Sequence, residues 1–241
     1  MSVWILIGVT FLLAGLVKGV IGMGLPTVAM GLLALVLPPA ESAAILVVPS
    51  FVTNVWQLMA GPAFGALARR LWPMMLAVLV GTVAGAGVLA GNIAGLAKIG
   101  LGITLALYAV VGLAGFRWTV APRHEGWLGP TIGLATGLVT GATGVFVIPA
   151  VPYLQAIGLE KDDLIQALGL SFTVSTVALA IGLLRVDAWQ MNDVWTSLLA
   201  LAPALAGMTA GQWLRGRFSA ATFRKVFFAG LLLLGATLAL A

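Results

Sequence analysis

From Val3 to Leu37 the chain is one apolar run with a single charge, Lys18. A run of that length exceeds the roughly 20 residues that one helix needs to cross a bilayer. Four glycines and a proline cut it, in Gly15-Leu16-Val17-Lys18-Gly19-Val20-Ile21-Gly22-Met23-Gly24-Leu25-Pro26. Taking Trp4 as an interfacial anchor, Lys18 lies roughly 21 Å further along a helix rising 1.5 Å per residue. The second arm, Leu25 to Pro38, is of similar length, and each arm falls short of the roughly 30 Å hydrocarbon core. The stretch predicts two half-helices meeting at a turn inside the membrane or near its far face. Pro26 suits the start of the second, where a missing N–H costs nothing, and the free amides of that half-helix point back at the break.

The motif returns at Gly137-Leu138-Val139-Thr140-Gly141-Ala142-Thr143-Gly144, with five of eight positions identical to Gly15 through Gly22. Ser50, Phe51, Asn54 and Gly61 match Ser171, Phe172, Ser175 and Gly182; Gly81 and Gly85 match Gly207 and Gly211; Lys98 matches Lys225. The chain therefore divides into residues 1–116, a polar cytoplasmic linker 117–126, and residues 127–241. Apolar pieces in the first half run Val3 to Gly22, Leu25 to Leu37, Ala43 to Gly61, Leu71 to Ala90 and Ile99 to Phe116. Those in the second run Trp127 to Thr143, Val145 to Ile157, Leu164 to Leu184, Val194 to Leu214 and Phe223 to Ala241. The expected fold is an all-α polytopic membrane protein of two repeats, each a broken, re-entrant helix pair plus three transmembrane helices.

Hydrophobic residues at 61% and charged ones at 8% leave too few charges to cover a soluble surface of this size. The sequence pI near 10.3 does not indicate nucleic-acid binding, because the cations form no stripe and have no aromatics interleaved with them. The start, Met1-Ser2-Val3-Trp4, lacks a basic n-region and reads as the first membrane segment. The single histidine, His124, stands in the polar stretch without nearby Cys or carboxylate ligands, so no metal or other cofactor is expected. The bilayer segments contain no His, Asp, Glu or Cys to serve as acid, base or nucleophile, which argues against an enzyme.

The cations discriminate between orientations of the two halves. If each broken segment crosses once, the halves are parallel and the loop cations divide five against six. If each enters and returns on one side, Arg69, Arg70, Arg117, Arg123, Lys161, Arg215, Arg217, Arg224 and Lys225 share a face, with only Lys98 and Arg185 opposite. The second division is the positive-inside pattern. It predicts an inverted repeat with both termini external, an architecture recurrent among transporters.

Unpaired amides at a helix start and one ammonium together make an anion site. The expected lining is Lys18, Gly19, Gly22 and Gly24 from the first break and Thr140, Gly141, Thr143 and Gly144 from the second. Asn54 and Gln57, with Ser50, and Ser171 and Ser175, with Thr173, come from the following helices. Plainer readings stand beside this one. Lys18 fits a snorkelling lysine, the glycines fit tight helix packing, Asn54 and Gln57 fit interhelical hydrogen bonding, and His124 fits a solvated loop.

Gly15-Leu-Val-Lys-Gly-Val-Ile-Gly-Met-Gly and its second copy, Gly137-Leu-Val-Thr-Gly-Ala-Thr-Gly-Val, resemble the TauE/SafE family of sulfite and organosulfur-anion exporters. The resemblance extends over essentially the whole chain in size and duplication. The second copy departs from the family's glycine-rich continuation at Phe146 and Val147. The resemblance implies a plasma-membrane carrier of sulfite, sulfonates or related small organic acids. The expected function is a secondary transporter that exports a small anion through the two discontinuous hairpins, with a passive channel for a small solute as the alternative. Its expected partners are the anion and the bilayer, with no nucleic acid; a homodimer is an assembly the chain leaves open.

Overall fold

The computed structural model describes residues 3–91, 94–115, 118–215, 217 and 219–240, and all regular structure among them is helical. Ten helices follow in order: α1 Val3–Ile21, α2 Leu25–Leu33, α3 Pro39–Met59, α4 Phe64–Ala90, α5 Ala94–Ala114, α6 Pro122–Thr143, α7 Ala150–Ala156, α8 Lys161–Arg185, α9 Met191–Leu214 and α10 Ala220–Leu240. Seven of these described helices (α1, α3, α4, α5, α8, α9 and α10) are long and apolar enough to cross a membrane. α2 and α7, with 9 and 7 residues, reach only about 13 and 10 Å at 1.5 Å per residue, far less than the core thickness.

Most long helices begin about a turn before the apolar stretches that mark them in the sequence. α4 starts at Phe64 rather than Leu71, so Arg69 and Arg70 stand on the helix and not in a loop. α6 starts at Pro122, inside the stretch expected to be linker. α3, α8 and α9 gain Glu41, Asp162 with Asp163, and Asp193 in their first turns. Carboxylates are favourable beside the positive end of a helix, so these helices project past the apolar layer. In α9 a capping box seals the end, with Gln190 and Asp193 each binding the other's backbone N–H. Phe116 and Arg117, and the chain end at Ala241, lie outside the described residues.

Corresponding helices of the two halves meet with opposite polarity. At the α3–α8 crossing, Gln57 near the end of α3 donates to Ile165 O near the start of α8 (2.9 Å), and Gln166 donates to Leu58 O (2.7 Å). At the α5–α10 crossing, Gly102 faces Gly235 and Ala239, whereas Gly112 faces Phe228. The other two large contacts run in the same direction and trade partners between halves: α1 lies on α9, and α6 lies on α4.

Glycines make those last two contacts. A Cβ on Gly15 or Gly19 of α1 would enter the α9 backbone around Ala204, Met208 and Gly211, and one on Gly207 or Gly211 would enter α1 at Leu12 and Leu16. On α6, Gly137 and Gly141 meet Thr82 and Gly85 of α4 in the same way. Small residues at four-residue spacing let backbones touch in lipid, where packing and not hydrophobicity holds helices together.

Seven of the eight tryptophans are exposed: Trp4, Trp56, Trp72, Trp118, Trp127, Trp195 and Trp213. Trp4 and Trp195 lie at the starts of α1 and α9, which run side by side, whereas Trp56 and Trp213 lie at the ends of α3 and α9. Two levels of outward indole rings match the two interfaces of a bilayer.

Candidate functional site

Both breaks are made by the same local chemistry. Gly22, at φ +78°, follows α1 and donates its N–H to Lys18 O at 2.7 Å; Gly144, at φ +72°, follows α6 and donates to Thr140 O at 2.7 Å. This is the left-handed glycine stop, and a side chain would strain it. Lys18 and Thr140 are thus equivalent residues, each in the last turn of the helix before its break. Gly24, also left-handed at φ +107°, precedes α2, whose amides receive no side-chain cap.

The contents of the two breaks differ. Lys18 is only 4% exposed, and its Nζ donates to Asn54 Oδ1. Asn54, fully buried, donates from Nδ2 to Thr176 Oγ1 at 3.2 Å, and Thr176 donates to Phe172 O at 2.7 Å. The chain of bonds joins α1, α3 and α8, two of which belong to different halves. In the second half Thr140 Oγ1 turns back to Thr136 O at 2.7 Å, and Thr143 Oγ1 to Val139 O at 2.7 Å. Val145, Phe146 and Val147 are fully buried, and the Phe146 ring packs on Phe172 at 5.3 Å. The polar centre is accordingly one-sided, with its charge on the first break.

No carboxylate compensates Lys18. Among the described residues the one ion pair is Arg70 with Glu125, at 2.7 Å. An ammonium carries three donors, and Asn54 takes one. Its position in the last turn of α1 adds the favourable negative end of that helix. On α3 and α8, the helices that Asn54 and Thr176 join, Ser50, Ser171 and Ser175 are fully buried, and their hydroxyls have no partner. Ser50 shares a face with Asn54, and Ser171 with Ser175, by four-residue spacing. Thr82 Oγ1 on α4 is likewise buried and unpartnered.

The expected lining residues therefore fall into three places. Lys18 and Asn54 are joined directly, with Ser50, Ser171 and Ser175 on the two helices behind them. Gly22, Gly24 and Gly144 shape the breaks, with Thr140 and Thr143 beside the second. Gly19 and Gly141 face the backbones of α9 and α4, whereas Gln57 sits at the α3–α8 end contact, with Gln166 bridging Leu58, Gly61 and Ala63 nearby. Thr173 donates to Gly169 O on its own helix. Thr176 and Thr82 are polar positions that the repeat alignment did not single out. Thr176 directly follows Ser175, the residue aligned with Asn54, so that neighbourhood was the available signal.

The model of the family described as sulfite exporter TauE/SafE matches residues 7–238. No curated protein and no solved structure is significantly similar to the chain.

Proposed function

This chain belongs to the sulfite exporter TauE/SafE family, whose members are membrane transporters and not enzymes, and from that premise we propose that it expels a small oxyanion by binding it at Lys18. One observation carries the reading: a buried ammonium with a neutral amide as its partner, on a helix pair that also holds unpartnered buried hydroxyls. A buried cation without a counter-charge is costly, and the cost falls when an anion arrives. Sulfite, a sulfonate or a related small organic acid offers the acceptors that Lys18, Asn54 and the serine hydroxyls lack. Each half supplies part of the lining, and movement of one half against the other exposes it alternately to each side.

The same reading places the protein in the plasma membrane as an inverted repeat with both termini outside. The opposite polarity of α3 against α8, and of α5 against α10, supports the inversion, as does the division of cations between faces. With an inside-negative potential, expulsion of one negative charge is favourable by about 2.3 kcal/mol per 100 mV. We take the transport to be electrogenic export, with Lys18 as the counter-ion of the anion.

The test is sulfite efflux from proteoliposomes clamped with potassium and valinomycin. Flux rises as the interior is made more negative and persists without a pH gradient; flux indifferent to potential would favour the passive pore for a neutral solute. Orientation has a separate test, since the chain has no cysteine. Ala66 is exposed near the start of α4, and Met191 is 71% exposed at the start of α9. In intact cells an impermeant maleimide labels Met191→Cys and leaves Ala66→Cys unlabelled until the membrane is opened; equal labelling of both would rule out the inverted arrangement.

A further inference from the structure

We propose that the start of α10 and the end of α5 form a binding site for the phosphate headgroup of an anionic phospholipid. A cavity of about 420 Å³ lies between the end of α5 and the start of α10, lined by Gly112, Leu113, Ala221, Arg224, Lys225 and Phe228. The Arg224 guanidinium stands 6.0 Å from the Phe228 ring and donates to Gly112 O at 3.4 Å, which holds it at the cavity wall. The phenyl ring lies over Gly112, where a Cβ would collide with it, so the floor is apolar and the rim cationic.

Charge isolates this corner from every other basic patch. From Val194 to the end of the sequence there is no Asp or Glu, and Arg215, Arg217, Arg224 and Lys225 are four cations in eleven residues. All four are exposed, and none forms an ion pair among the described residues. Arg217 stacks on Trp213 at 3.5 Å, and that indole is exposed at the end of α9, the level of a membrane interface. The other large basic cavity, about 560 Å³ beside Arg69 and Arg70, differs because Glu125 and Ile157 O already occupy Arg70.

A lipid, and not a free anion, is the occupant because the wall continues as a hydrocarbon surface. Leu113 at the cavity and Val110, a turn before it on α5, are 43% and 50% exposed. Acyl chains cover that face while the phosphate meets Arg224 and Lys225. Basic pockets between membrane helices take anionic headgroups in this way.

The experiment reconstitutes the whole chain with equimolar phosphatidylglycerol and phosphatidylcholine and measures retained lipid by native mass spectrometry. Wild type retains phosphatidylglycerol, the Arg224→Gln/Lys225→Gln variant loses that preference by about thirty-fold, two surface cations' worth of attraction, and Lys98→Gln/Arg185→Gln on the opposite face keeps it. Inorganic phosphate does not displace the lipid. Undiminished preference in Arg224→Gln/Lys225→Gln, an equal loss from the opposite-face variant, or displacement by inorganic phosphate overturns the proposal. Because Arg185, Arg224 and Lys225 are exposed and Lys98 is only half-buried, the variants elute as folded, monodisperse protein. Their sulfite flux in neutral lipid stays intact, which separates this result from a failure of the transport reading.

Discussion

Replacing Lys18 by Ala abolishes sulfite flux while leaving the fold as stable as wild type or more so. The two halves of this result have one cause. Lys18 is buried without a carboxylate, so its ammonium costs stability in the empty protein, and removing that cost offsets the donor that Asn54 Oδ1 loses. The lost carrier function follows because a hydrogen-bonded charge pair is worth about 3–5 kcal/mol when broken from one side, or at least about a hundredfold in anion affinity. Lys18→Arg keeps the charge and retains part of the flux, reduced because the broader guanidinium must share the space of Asn54. Unchanged flux in Lys18→Ala proteoliposomes would remove this residue from transport. A large fall in thermal midpoint would instead make Lys18 a structural element.

The second large effect concerns the glycines. Gly137→Ala and Gly207→Ala each lower the thermal midpoint strongly, at about 1–3 kcal/mol of overpacking or more, because the added methyl meets the α4 backbone at Val78 and Thr82 or the α1 backbone at Leu12 and Leu16. Rigid backbone cannot rotate aside as a side chain can. Gly8→Ala and Gly87→Ala, with nothing within 4 Å of the new methyl, are neutral or slightly stabilising, since alanine is the better helix former by about 1 kcal/mol. Thermal unfolding in detergent separates the two pairs. Equal midpoints for all four would mean that the α1–α9 and α4–α6 contacts do not hold the fold.

That contrast also shows what the sequence reveals and what it conceals. Glycines at the two breaks and glycines at the two crossings look alike in the sequence, yet Gly22 and Gly144 bend the chain whereas Gly15, Gly19, Gly137 and Gly141 receive another helix. The duplication identifies which positions correspond, but it does not say which helices are neighbours. The motif at Gly15 and Gly19 closes on Gly207 and Gly211, from the other half, because α1 packs on α9. Helices start before their apolar stretches for a related reason. Hydrophobicity marks the edge of the lipid layer, and Glu41, Arg69 and Asp193 belong to turns that continue into water. Lys18 and Asn54 were legible as rare polar residues in apolar surroundings. Their direct bond was not, since it depends on the break setting Lys18 against α3. Thr176 was hidden because a threonine on a helix ordinarily binds its own carbonyl, as this one also does.

The central claim is that the anion binds where Lys18 meets Asn54, between the two halves. Calorimetric titration of sulfite into purified protein tests it most directly, with Lys18→Ala and Asn54→Leu beside wild type. Wild type binds saturably, Lys18→Ala shows no measurable binding, and Asn54→Leu binds more weakly. Wild-type affinity in Lys18→Ala would contradict the account.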